Sequence, residues 1–103
     1  MLNQRVRNFI IENIRTKGDR PIPYDRICDS CNLGLDDPDD PIEKVHLERV
    51  ISEISQFEIR HNRPDIAAIV VPHAGETPFD TIEVNELVNF WSDDKNFSSF
   101  GRV

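Results

Sequence analysis

A chain of 103 residues with 38% hydrophobic and 30% charged side chains is long enough to bury one core and too short for two. No apolar stretch approaches the ~18 to 20 residues needed to span a bilayer, and the first residues, Met1 to Arg5, lead into an amphipathic pattern and not a signal peptide. A cytoplasmic protein is therefore expected, and its net charge of -7 is unevenly divided: residues 1 to 26 carry a balance of +3 and the remainder a balance of -10.

Leu2, Val6, Phe9, Ile10 and Ile14 recur at helical spacing, so residues 2 to 16 read as an amphipathic first helix, closed by Gly18. Pro21-Ile22-Pro23 forces an extended segment, because each proline lacks a donor and disfavours helix in the residue before it. Tyr24 to Asn32 can form a short second helix with Ile27, Cys28 and Cys31 turned inward, and Gly34 suits the turn that ends it. Asp36-Asp37-Pro38-Asp39-Asp40-Pro41 follows, four carboxylates in six positions. Pro41 fits the first turn of a third helix, with Asp39 or Asp40 as its N-cap.

That third helix is long. Val45, Val50, Ile51, Ile54 and Phe57 supply its apolar stripe, Leu47 and Ile59 widen it, and it ends near His61-Asn62. Ile66 to Val71 is a continuous apolar run rich in β-branched residues and bounded by Pro64 and Pro72, the pattern of a buried strand. Pro72 to Pro78 reads as a turn returning into a short pairing segment around Phe79. Asp80-Thr81-Ile82-Glu83 has the form of a helix start, and Val84, Leu87, Val88 and Trp91 give the final helix one apolar face. Residues 92 to 103, with Phe97 and Phe100, show no clear period and are expected to be a loosely ordered tail.

The order helix, short helix, long helix, strand, turn, short strand, helix resembles the winged-helix (winged helix-turn-helix) superfamily. Pro21-Ile22-Pro23-Tyr24-Asp25-Arg26-Ile27-Cys28 is similar to the proline-led opening of several of its members. Glu53 to Phe57 and His61 to Val71 resemble the helix-to-strand passage of small uncharacterised bacterial and phage proteins of similar length. The resemblance implies an α+β fold: a single winged-helix-like domain over 1–103, with three N-terminal helices, a short β-hairpin wing and an extra C-terminal helix. It implies no activity.

Cys28-Asp29-Ser30-Cys31 is a C-x-x-C, yet no second ligand pair completes a zinc site. His46 and His61 stand about four turns apart on one helix, roughly 22 Å, so they cannot share a metal. The acidic run lacks the glycine and the bidentate Glu of a calcium loop. No G-x-S-x-G, P-loop or dinucleotide glycine pattern is present, so neither catalytic residues, a cofactor site nor a metal site is expected, and the chain reads as no enzyme.

Partner class follows from charge. Asp36, Asp37, Asp39, Asp40 and Glu43 are the expected protein interface, an acidic surface that steers a basic protein partner. The functional neighbourhood is that of inhibitors, antitoxins and immunity or anti-defence proteins. The alternative is a winged-helix transcriptional regulator that holds DNA phosphates with Arg5, Arg15, Arg20 and Arg26. Against it, Glu43, Glu48, Glu53 and Glu58 on the third helix would repel the backbone it must approach. Trp91, Phe97 and Phe100 fit either a completed core or packing against a second subunit of a homodimer.

Overall fold

The computed structural model describes residues 2–34 and 40–101. They form five α-helices: α1 (Gln4–Lys17), α2 (Tyr24–Cys31), α3 (Pro41–Arg60), α4 (Thr81–Ser92) and α5 (Asp94–Phe100). Two two-residue strands, β1 (Ile22–Pro23) and β2 (Val70–Val71), complete the order, with a 3-10 turn at Ile66–Ile69.

Local chemistry sets the helix ends. The Asn3 side chain accepts from Val6 N–H at the start of α1, and Gly18, at φ 67°, closes it by donating to the Ile14 carbonyl. Asp40, Asp80 and Asp93 cap α3, α4 and α5 in the same way, each accepting from two backbone N–H groups of the first turn. The core gathers Val6, Ile10, Ile11 and Ile14 of α1, Ile27 and Cys31 of α2, Leu47, Ile51 and Ile54 of α3, Ile66 and Ile69 of the turn, and Val84, Leu87 and Trp91 of α4. α1 lies against α2 and α4, while α3 packs chiefly on the 3-10 turn.

This is not a winged helix. The described residues are mostly helical, 68%, with only a two-strand parallel sheet and no β-hairpin wing. The physical cause lies at Asp65. Its carboxylate accepts from Ala67 N–H at 2.9 Å and from the Ser55 hydroxyl of α3 at 2.6 Å, which winds Ile66–Ile69 into a 3-10 turn instead of a strand. Only Val70 and Val71 remain extended, and they pair with Ile22 and Pro23 across the molecule, not with a returning neighbour. Residues 72–80 carry no strand, and Phe79 is exposed. The tail that shows no period holds α5.

A buried ionic cluster joins α1, α3 and the C-terminal segment. Glu58 accepts from Arg7 Nη2 at 2.9 Å on one carboxylate oxygen and from Arg63 Nε at 2.8 Å on the other. Arg7, itself fully buried, also donates to the carbonyls of Phe100 at 2.7 Å and Gly101 at 3.3 Å. Its guanidinium lies 5.5 Å from the Phe57 ring centre and 5.4 Å from that of Trp91. Burial pushes the Arg7 pKa down, and the charge of Glu58 opposes that push. Gly101 belongs to this arrangement: a Cβ there would stand 2.5 Å from the Phe97 carbonyl oxygen, so only glycine lets the chain pass this close.

Candidate protein-contact face

The acidic end of α3 begins with a capping problem. The first N–H groups of a helix lack intrahelical acceptors, and Asp40 accepts from Ile42 N–H at 2.9 Å and Glu43 N–H at 3.3 Å. Pro41 occupies the first turn, where its missing donor costs nothing. Asp40 and Glu43 therefore share one helix terminus, with two negative charges where the helix dipole favours them. Asp36, Asp37 and Asp39 lie outside the described residues.

Beyond that terminus α3 presents two different sides. Leu47, Ile51, Ile54, Ser55 and Glu58 are buried against the body. Val45 and Ile59, assigned by the sequence pattern to the same stripe, point the other way, 58% and 50% exposed, and Ile42 beside the acidic cap is 82% exposed. Arg49, Ser52 and Gln56 are exposed between them. A groove of about 610 Å³ follows this side, lined among others by Leu2, Val45, Arg49, Ser52, Gln56 and Phe57. Ile42 and Val45 make an exposed aliphatic pair beside the acidic cap, and Ile59 stands apart from them at the far end of the helix. On the flank of α3, the Tyr24 hydroxyl donates to Glu48 at 3.2 Å, and its pKa is pushed up to about 12 by burial and the Glu48 charge.

Of the four arginines named for nucleic acid, Arg5 and Arg20 are exposed, and Arg15 and Arg26 are half-buried. Arg15 donates to the Trp91 carbonyl and to Asp94, both at 2.8 Å, and its guanidinium lies 4.2 Å from the Phe97 ring centre, so it fastens α5 to α1. Arg5 reaches the Cys31 carbonyl at 3.4 Å. Arg26 lies 5.7 Å from the Phe9 ring centre and shares a cleft with Arg20, but Glu76 lines that cleft too.

Cys28 and Cys31 are free and buried. Burial pushes both thiols up, Cys31 to about 11, which disfavours the thiolate that metal binding or redox exchange requires. Among the described residues no group of three or more His, Cys, Asp or Glu side chains is placed to hold a metal, and no helix is long and apolar enough to cross a membrane.

Comparison with protein-family models, with curated proteins and with solved structures found no match.

Proposed function

We propose that the chain is a non-catalytic binding module that takes a basic protein partner on the outer side of α3, in the manner of an inhibitor or antitoxin. One observation carries this reading: Ile42 and Val45 are largely exposed immediately beside Asp40 and Glu43. Apolar side chains supply affinity once water is displaced. Adjacent carboxylates, on a chain of net charge -7, raise the rate at which a cationic partner arrives. Arg15 is engaged within the fold by the Trp91 carbonyl and Asp94, and Glu76 lines the cleft that Arg20 and Arg26 share, which weakens the alternative of phosphate binding.

Affinity capture from the native host tests the reading. The unmodified protein is expected to retain a basic protein. Ile42→Asp with Val45→Asp should abolish retention without loss of helix content. Asp40→Asn with Glu43→Gln keeps a competent N-cap, so it should mainly slow association and flatten its salt dependence. Retention of nucleic acid instead, or of the same protein equally by both variants, would refute it.

A further inference from the structure

The last helix is attached differently from the others. α1 to α4 each give buried side chains to the core, whereas no α5 residue is buried. Its fastenings are polar and aromatic. Asp94 pairs with Arg15 at 2.8 Å while its side chain stays 88% exposed, and Asn96 donates to the Phe90 carbonyl at 3.0 Å. The Phe97 ring centre lies 4.2 Å from the Arg15 guanidinium and that of Phe100 lies 5.2 Å from the Arg63 guanidinium. An exposed ion pair holds little, and water can replace polar contacts of this kind.

Two features make α5 separable. Asp93 alone joins it to α4: its backbone is extended (φ -78°, ψ 121°), and it ends one helix and caps the next. Rotation at this residue swings the whole segment. With seven residues, α5 is too short to stay helical by itself, so leaving the body and losing its internal hydrogen bonds occur together.

What it closes is the buried ionic cluster. Arg7 and Arg63 bring two guanidinium charges to the one carboxylate of Glu58. The excess positive charge is met by the carbonyls of Phe100 and Gly101, which accept from Arg7 at the end of α5 where helix carbonyls are partially negative. Arg7 Nε has no hydrogen-bond partner among the described residues. Keeping excess charge out of water is costly, so lifting α5 lets water reach Arg7 and recovers part of that cost. Electrostatics therefore favours opening, and the ring contacts favour closure.

We propose that α5 is a releasable strap that swings out about Asp93 as one unit while α1 to α4 stay folded, baring at Arg7 and Arg63 a site that accepts anions. This does not rest on the reading of α3 as a contact face.

Native-state hydrogen exchange of the full chain reads the release. The amides of Phe97 and Gly101 donate to the carbonyls of Asp93 and Phe97. They are expected to exchange through a local opening that hardly responds to low denaturant, while core amides of α1 and α4 exchange only with global unfolding. Asp94→Asn should speed the α5 amides about two- to fivefold, the worth of an exposed ion pair, and leave α1 unchanged. Phe97→Ala with Phe100→Ala should release the strap outright, with cooperative unfolding of the rest retained. Trp91, the single tryptophan of the chain, lies beside Arg7 and reports the bared site. In the released variant iodide should quench it more strongly than caesium, against the bias of a net charge of -7, and neither should reach it in the unmodified protein. Exchange of the α5 amides in step with those of α1 and α4, loss of cooperative unfolding in the double variant, or caesium quenching equal to that by iodide would overturn the proposal.

Discussion

Replacing Glu58 with alanine is expected to lower the unfolding free energy by about 3–5 kcal/mol, the cost of stranding a buried partner charge. Glu58 has no solvent exposure and is held by Arg7 and by Arg63. Its removal leaves two guanidinium groups between aromatic rings with no anion to offset them. A domain of this size has only about 5–15 kcal/mol of stability in total, so a third or more would go. Glu58→Gln keeps the shape and one carbonyl acceptor, and should cost less than alanine while remaining clearly destabilising. Replacing Arg7, Glu58 and Arg63 together with apolar residues of similar volume should be far milder than Glu58→Ala, because the desolvation cost disappears along with the attraction. Denaturant unfolding followed by the fluorescence of Trp91, the single tryptophan of the chain, reads all three. A loss below about 1 kcal/mol for Glu58→Ala would mean that water reaches the cluster.

Trp91→Ala should cost a similar amount, about 3–5 kcal/mol, as expected for emptying the site of a large buried aromatic. Trp91 is fully buried, packs edge-on against Phe90 at 4.9 Å between ring centres, and lies beside the Arg7 guanidinium. Its backbone carbonyl also accepts from Arg15, a bond that either substitution preserves. Trp91→Phe should be much milder, near 1–2 kcal/mol. It keeps an aromatic face for Arg7 and removes an indole N–H that is buried without a hydrogen-bond partner among the described residues, a group that is costly to bury unsatisfied. Thermal unfolding by circular dichroism compares the two. Equal losses would contradict this ordering.

The ends of the helices were legible because neighbouring residues determine them. Gly18, Pro41 with Asp40, and Asp80 each act within one turn of their own position. The inward positions Ile10, Ile27, Ile54 and Leu87 were legible from spacing and Ile69 from its apolar run, and all are buried, with Val50 half-buried. Where partners are distant, the pattern misled. Ile66 to Val71 has the composition of a strand, but the Ser55 hydroxyl that helps fix Asp65 and its 3-10 turn comes from another helix. Arg7 looks like a solvent-side residue on the first helix, since its acceptors Glu58, Phe100 and Gly101 stand 51, 93 and 94 residues away. The seven residues of α5 are too few to show a period, and no α5 residue is fully buried.

At the candidate site the acidic cap was legible and the sidedness of α3 was not. Its apolar residues make two rows, Leu47, Ile51 and Ile54 inward and Ile42, Val45 and Ile59 outward. In sequence the rows merge into one broad stripe. The exposed Arg49, Ser52 and Gln56 between Val45 and Ile59 make the outer side read as a solvated face.

A photo-activatable cross-linking side chain placed at position 45, on the outer side of α3, reports what touches that side in the native host. The same probe at position 86, on the exposed side of α4, serves as the control. The expected result is a covalent adduct from position 45 to a basic protein, and none from position 86. Adducts from position 86 with none from position 45 would contradict a contact role for α3.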